Sequence, residues 1–172
     1  MNKIFKVGLI GCGHISETYF RGHDYFNNFQ IIKCADINTE NAKKCAETYG
    51  IESCSVDELL NDSEIEIILN LTIPRAHYEI AKKSLDHGKH VYSEKPMAVN
   101  FVEGEELLNL ANSKNLYIGN APDTFLGGKL KGLAEKDEQR RPFRHLPKQF
   151  SKGILIGNIA IVPKKATETR YN

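Results

Sequence analysis

Residues 7–16 read VGLIGCGHIS, a short apolar run followed by a glycine-rich turn. Gly11, Gly13 and Ser16 form the pattern G-x-G-x-x-[small], which on its own is common in tight turns. Here the apolar run predicts a strand before the turn, a helical pattern follows it, and a second apolar segment ends in Asp36, 23 residues after Gly13. Strand, glycine turn, helix and acid at this spacing are typical of a dinucleotide-binding βαβ unit.

Each position of this motif has a physical role in dinucleotide binding. Gly11 permits the sharp turn out of the strand, and Gly13 lets the backbone approach a pyrophosphate. Ser16 stands in for a third glycine and is small enough for close packing of the helix. Asp36 can accept hydrogen bonds from both adenosine ribose hydroxyls and repels a 2′-phosphate, so the motif favours NAD over NADP. The alternative interpretation is a structural turn followed by an Asp that caps a helix.

Short apolar runs alternate with helical patterns along residues 1–127. This alternation predicts an α/β fold, a Rossmann-type doubly wound parallel sheet. Gly50 and Gly88 follow helical patterns, as C-terminal caps with positive φ do, and Thr39 and Asn100 stand where N-caps are expected. The predicted strands are Phe5–Ile10, Gln30–Asp36, Ile65–Leu71, His90–Glu94 and Leu116–Asn120, and the predicted helices are His14–Tyr25, Glu40–Tyr49, Val56–Leu60, Arg75–His87 and Phe101–Ser113.

Two polar clusters follow later strands, TIPRAH at residues 72–77 and EKP at residues 94–96. In an open parallel sheet, ligands bind beyond the carboxyl ends of the strands, where both clusters fall. The Lys95-Pro96 bond can be cis, which would direct the lysine side chain in an unusual way. A lysine beside a nicotinamide can assist proton transfer as hydride leaves the same substrate carbon. From its spacing alone, Lys95 is more simply interpreted as an exposed surface lysine.

Taken together, these residues resemble the Gfo/Idh/MocA oxidoreductases, which are NAD(P)-dependent sugar and polyol dehydrogenases. The resemblance runs from about residue 6 to residue 128 and is most specific at Glu94-Lys95-Pro96. It implies that Lys95 is the catalytic lysine. It also implies the cofactor-binding residues: Gly11, Gly13, His14 and Ile15 at the pyrophosphate, Asp36 at the adenosine ribose, Thr72 and His77 near the nicotinamide, and Glu94 with Lys95 at the redox centre.

The charge of the chain changes sign near residue 128. Residues 1–127 carry 12 Lys and Arg against 18 Asp and Glu, whereas residues 128–172 carry 11 against 4. The alternation of strands and helices ends there as well, leaving one strand-like run over Gly153–Val162. We therefore predict an NAD(P)-binding domain over residues 1–127 and a basic tail over residues 128–172, in place of the family's substrate domain.

The tail has no counterpart of the family's second catalytic element, an Asp and a His spaced D-x-x-x-H. The resemblance implies that the oligomer interface of the family also lies in the absent domain, so homo-oligomers are not expected of this chain. A truncated or frame-shifted gene is our preferred explanation of the tail. Contact with nucleic acid is disfavoured, because the tail contains no binding motif and little aromatic interleaving.

The composition excludes several classes of protein. Hydrophobic residues make up 41% of the 172 residues and charged residues 26%, which favours a packed globular domain over a disordered chain. Apolar runs are far shorter than a membrane helix needs, and the first residues are not those of a secretory signal. We therefore expect a cytoplasmic protein.

The spacing of Cys12, Cys34, Cys45 and Cys54 argues against a zinc site, so no residue is assigned to a metal and the cysteines are interpreted as buried small apolar residues.

Three functional hypotheses follow. The first is an NAD-dependent oxidoreductase that transfers hydride between nicotinamide and a small-molecule sugar or polyol, with Lys95 assisting the proton. The second is a dinucleotide-binding module without catalytic activity. The third is a fragment that exposes apolar surface and does not fold stably.

Overall fold

Short apolar runs form most strands of the described chain, and helices lie between successive parallel strands. The computed structural model describes residues 3–22 and 28–121, together with the backbone of residues 155–156 and 159–160. Six strands pair in parallel in the order β3-β2-β1-β4-β5-β6. Their bounds are Phe5–Ile10 for β1, Phe29–Ala35 for β2, Glu52–Ser53 for β3, Ile67–Asn70 for β4, His90–Ser93 for β5 and Ile118–Asn120 for β6.

Five helices connect these strands, and polar side chains cap several of them. The Asn38 side chain accepts the Glu40 N–H before α2, and Ser55 and Glu58 form a reciprocal capping box at α3. Asn100 caps α5, as the sequence predicts, whereas the cap of α2 is Asn38 and not Thr39. The helices are α1 Ser16–Gly22, α2 Thr39–Tyr49, α3 Val56–Asn61, α4 Pro74–Asp86 and α5 Phe101–Ser113.

The sheet is covered on both faces, which confirms the doubly wound prediction. Alternating residues of β1 and β4 point to opposite sides, because successive side chains of a strand do so. On one side Val7, Leu9, Ile67 and Leu69 pack with α1 and α2. The other side packs against α3, α4 and α5, and its buried residues are Ile10, Ala35, Leu59, Leu60, Ile65, Ile68, Ala81, Leu85, Val91, Leu107, Ala111 and Ile118.

Several predicted boundaries differ from the observed ones. Helix α1 begins at Ser16, two residues after the predicted start, because residues 11–15 form the turn. The two-residue strand β3 was not predicted, because Glu52 and Ser53 carry no apolar pattern. The run predicted as one strand over Gly153–Val162 contains two short strands, β7 Leu155–Ile156 and β8 Ile159–Ala160, which pair antiparallel. The predicted end of the first helix at Tyr25 and most of the predicted tail lie outside the described residues.

The helices of the described part of the chain are too short or too polar to cross a lipid bilayer.

The ring of His90 joins the last two strands of the sheet. Its Nδ1 accepts a hydrogen bond from the Tyr117 N–H at 3.0 Å, which requires that this nitrogen carry no proton. Burial lowers the pKa of His90 below its ordinary value; the nearby Glu66 opposes this shift and Lys3 adds to it. The folded protein therefore binds a proton at His90 less readily than the unfolded chain does.

This depressed pKa predicts a loss of stability in mild acid. The free energy of unfolding should fall as the pH drops below about 6.5, by at most about 1.4 kcal/mol per pH unit from this group, and level off below the lowered pKa. The variant His90→Asn keeps an oxygen that can accept the Tyr117 N–H but does not titrate, so we expect a flatter pH profile. Urea unfolding at a series of pH values measures the slope. His87→Asn, on the exposed end of α4, is the matched control and should keep the wild-type slope.

Candidate functional site

The carboxyl ends of β1, β2, β4 and β5 meet at one edge of the sheet, because these strands run parallel. β1 lies between β2 and β4, and the chain leaves β1 toward α1 on one face but leaves β4 toward α4 on the other. A crevice forms where neighbouring strands send the chain to opposite faces, and open parallel sheets bind ligands there. The four segments that follow these strands therefore form the candidate site.

The turn after β1 requires glycine at its first position. Gly11 has a φ of 102°, and a Cβ built on it would lie 2.6 Å from the carbonyl carbon and oxygen of Leu71. A Cβ on Gly13 would meet no atom of the described residues within 4 Å. Ser16 is buried, and its hydroxyl donates to the Gly13 carbonyl at 2.7 Å. The fold thus requires Gly11, whereas no neighbour in the described part of the chain requires the small size of Gly13.

Asp36 ties the glycine turn to the start of α2. Its Oδ2 accepts the Cys12 N–H at 2.7 Å, and its Oδ1 accepts the Asn38 N–H at 2.8 Å. The side chain is half-buried directly after β2, while His14 and Ile15 are exposed on the turn beside it. Each carboxylate oxygen can accept a further hydrogen bond, so the group can still bind a hydroxyl donor.

The buried side chains of Asn70 and His77 hold the loops after β4 and β5 together. Asn70 donates to the His77 carbonyl at 2.9 Å and accepts the Thr72 hydroxyl at 2.7 Å. The His77 ring lies between two backbone carbonyls, with Nδ1 2.5 Å from that of Pro96 and Nε2 2.8 Å from that of Thr72. Because His77 is only 1% exposed, its ring influences the site by holding these two loops in position and not by direct contact with a ligand.

Glu94 is held at the end of β5 from three directions. The Tyr19 hydroxyl of α1 donates to Glu94 Oε1 at 2.6 Å. The Glu94 N–H donates to the Asn70 carbonyl at 2.9 Å, and the Asn120 amide donates to the Glu94 carbonyl at 2.9 Å. Burial and the hydrogen bond to Glu94 raise the pKa of Tyr19 above its ordinary value, so the phenol keeps its proton as donor.

Lys95 lies at the edge of the site with its side chain exposed. Its N–H donates to Glu94 Oε2 at 3.2 Å, and the Lys95-Pro96 bond is cis. The backbone on both sides of Lys95 is therefore held by the Glu94 and His77 contacts described above.

The structure thus connects the predicted residues in two groups, Gly11 and Gly13 with Asp36, and Thr72 and His77 with the Glu94–Pro96 loop. The sequence carries no signal for Tyr19, which together with Asn70 holds the second group. A signal for Asn70 was present, since it is a polar residue inside an apolar run. Two exposed apolar side chains, Ile37 at 102% and Ile73 at 68% exposure, also follow the ends of β2 and β4 and were not anticipated.

Three of the four free cysteines lie together behind the glycine turn. The Sγ atoms of Cys12, Cys34 and Cys45 are all within 4.8 Å of one another. Hydrogen bonding from Cys12 and Cys45 lowers the pKa of Cys34, while burial raises the pKa of Cys45 to about 12. The interpretation as buried small residues is confirmed for Cys34 and Cys45, but their spacing in the sequence gave no indication of this proximity.

Comparison with known proteins agrees with this architecture. The profile of the Gfo/Idh/MocA group, described as an oxidoreductase family with an NAD-binding Rossmann fold, matches residues 5–121. This chain belongs to that family. The family assignment confirms the resemblance drawn from the glycine turn and from Glu94-Lys95-Pro96, and it makes the chain part of an oxidoreductase family with a dinucleotide-binding fold.

Named relatives within the Gfo/Idh/MocA family include sugar and polyol dehydrogenases. A glucose-6-phosphate 3-dehydrogenase of Bacillus subtilis is 34% identical over 107 residues, 62% of this chain and 30% of that protein. An NADP-dependent scyllo-inositol 2-dehydrogenase of the same organism is 33% identical over 115 residues, 66% of this chain and 32% of that protein. The chain thus spans about a third of the length of these relatives.

A solved structure supports the fold independently. The GenD2 protein of gentamicin A biosynthesis, determined in complex with NAD, superposes with a TM-score of 0.75 over 81% of this chain and 40% of that protein. At 18% identity this likeness concerns the fold alone.

The contrast between the two glycines gives a test of the turn geometry. Gly11→Ala places a Cβ against the Leu71 backbone at a positive φ, so we expect it to lower the free energy of unfolding by about 1–3 kcal/mol or more. Gly13→Ala adds a Cβ where the described chain leaves room, so its stability should stay within about 0.5 kcal/mol of wild type. Chemical unfolding of both variants measures the difference. Equal destabilisation by the two substitutions would contradict the geometry.

Proposed function

We propose that this chain binds NAD at the carboxyl edge of its sheet and takes part in hydride transfer between nicotinamide and a sugar or polyol. The observation that carries the proposal is the glycine turn tied to Asp36 where the strand order switches, beside the loop that bears Glu94 and Lys95. Membership of the family supports the same conclusion. The chain matches only about a third of the length of its relatives, so the proposed activity rests on the residues of this site and not on the relatives' names.

The described residues fit a dinucleotide chemically. Gly13 has no Cβ, and none of the residues that the structure describes lies within 4 Å of where one would be, so a pyrophosphate can approach the backbone closely there. Exposed His14 and Ile15 flank it on the turn. Asp36 keeps acceptor capacity for the two ribose hydroxyls, and its negative charge opposes a 2′-phosphate. This is the basis for preferring NAD over NADP.

The exposed apolar side chains after β2 and β4 offer apolar surface for the rings of a dinucleotide. Ile37 directly follows Asp36, and Ile73 directly follows Thr72, so they lie on either side of β1 at the same edge. An adenine ring needs apolar surface next to its ribose, and Ile37 is the exposed apolar residue nearest in sequence to Asp36.

The second group of residues positions the reacting end. When bound, NAD supplies the hydride acceptor. The Lys95 amine would hydrogen-bond the substrate hydroxyl and accept the hydroxyl proton as the carbon is oxidised. Glu94 fixes the Lys95 backbone and is itself fixed by Tyr19, while His77 fixes the loop from the Pro96 side. Thr72, held by Asn70, lies beside the nicotinamide in this proposal.

The preference for NAD can be tested at Asp36. Asp36→Asn removes the charge but keeps an acceptor oxygen, so we expect NAD affinity to fall about tenfold, the equivalent of about 1.4 kcal/mol, with a smaller loss or a gain for NADP. Isothermal titration with each dinucleotide measures the ratio of the two dissociation constants. Asp57→Asn, an exposed carboxylate on α3, is the control and should leave both constants unchanged. A wild-type chain that prefers NADP, or a ratio unaffected by Asp36→Asn, would contradict the proposal.

The role of Lys95 can be tested by turnover. Lys95→Met should lower kcat by about 10²–10⁴-fold, because a positioned proton-transfer group contributes that much, while the dissociation constant for NAD stays near wild type. NADH formation is followed with a panel of polyols and sugars that includes inositols and glucose 6-phosphate. Lys83→Met, an exposed lysine on α4, is the matched control and should retain the wild-type rate.

The same assays separate the second hypothesis from the first. A wild-type chain that binds NAD but oxidises none of these substrates would favour a non-catalytic dinucleotide-binding module. In that case Lys95→Met would leave every measured property unchanged, whereas Asp36→Asn would still weaken NAD binding.

A further inference from the structure

The three thiols behind the glycine turn converge from three separate elements. Cys12 lies in the turn itself, Cys34 lies near the end of β2, and Cys45 lies on α2. Their sulfur atoms are all within 4.8 Å of one another although the first and the last cysteine are 33 positions apart in the sequence. Cys54, the fourth cysteine, is also half-buried but is not part of this cluster.

The backbone around the cluster is held independently of the thiols. The Cys12 N–H donates to Asp36, Gly11 N–H donates to the Ala35 carbonyl at 2.9 Å, and Cys34 lies within the pairing of β2 with β1. Cys34 is fully buried and Cys45 is 7% exposed, whereas Cys12 is half-buried. The donor atoms are therefore presented by a rigid frame, with one side of the cluster nearer to solvent.

The spacing of the sulfur atoms suits a soft metal ion. Zinc–thiolate bonds of about 2.3 Å place the sulfurs of a tetrahedral site about 3.8 Å apart. Sulfur atoms that already lie within 4.8 Å of one another need only small rotations of their side chains to reach that separation. In the present structure two of the thiols instead contact backbone carbonyls, Cys34 that of Ala42 at 3.4 Å and Cys12 that of Ala35 at 3.6 Å.

We propose that Cys12, Cys34 and Cys45 form a binding site for a thiophilic divalent cation, the class that includes Zn²⁺ and Cd²⁺. Binding replaces three S–H bonds by three metal–sulfur bonds and releases the thiol protons to solvent, with no change in oxidation state. Three thiolates and one divalent ion leave a single negative charge, whereas a monovalent ion would leave two beside the Asp36 carboxylate. Charge therefore favours the divalent ion. A solvent molecule on the Cys12 side can complete four-coordination.

The site does not depend on the proposed dinucleotide binding, and it can be tested without NAD. Titration of the reduced full chain with Cd²⁺ should produce the sulfur-to-cadmium charge-transfer absorption and saturate at one ion per chain. Cys12→Ser, Cys34→Ser and Cys45→Ser should each weaken Cd²⁺ binding by more than about a hundredfold, since loss of a ligand exceeds the 10–100-fold effect of an outer partner. Cys54→Ser is the matched control and should bind Cd²⁺ as wild type does. In the reverse order, Cd²⁺ added to the Zn²⁺-loaded chain should displace Zn²⁺ and produce the same absorption, because thiolates prefer the softer cation.

A measurement on the unaltered chain guards against variants that fail to fold. The cadmium-edge X-ray absorption spectrum at one equivalent should show three sulfur neighbours. Two or fewer sulfur neighbours, or absence of the charge-transfer band at one equivalent, would overturn the proposal in favour of a packing cluster of protonated thiols. Equal loss of binding in Cys54→Ser would likewise overturn it, because the metal would then not select these three residues.

Discussion

The placement of β1 between β2 and β4 is the constraint on which the rest of the structure depends. The strand pairs in parallel with both neighbours, so its carboxyl end and theirs meet at one edge. The chain leaves that edge through a turn that packs closely against the Leu71 backbone. Any side chain at position 11 would bring its Cβ to 2.6 Å from that backbone, so glycine is the residue that fits there. The crevice, the contact of Asp36 with the turn and the start of α1 all follow from the position of this turn beside Leu71.

A second constraint is the buried polar network at the ends of β4 and β5. Asn70 and His77 are almost fully buried, and their hydrogen bonds go mainly to backbone carbonyls and to the Thr72 hydroxyl. Buried polar groups are costly without partners, so each of these contacts is both a requirement of the fold and a restraint on the loops they hold. The loop that bears Lys95 is thereby fixed from the protein interior while its side chain remains accessible.

Much of the fold was accessible from sequence because it depends on local chemistry. Mostly apolar runs such as residues 65–71 predicted buried parallel strands. Gly50 and Asn100 marked helix ends by side-chain and φ requirements that act within a few residues. The glycine turn and Asp36 were found in the same way. Tyr19, by contrast, contacts Glu94 across 75 positions, and no periodicity in a single sequence records such a contact. The short strand β3 escaped prediction for a related reason, since it exists only because β2 offers it a pairing edge.

The order of elements and the identity of the motif residues were determined by the sequence alone, because strand, turn and cap preferences are properties of neighbouring residues. Which side chains meet was decided by the tertiary structure. His77, expected near a ligand, is turned inward between two carbonyls, and three cysteines that looked unrelated along the chain converge on one point. Both outcomes depend on how β2, α2, β4 and β5 are brought together in the sheet, and distances across a sheet are set by packing and not by separation along the chain.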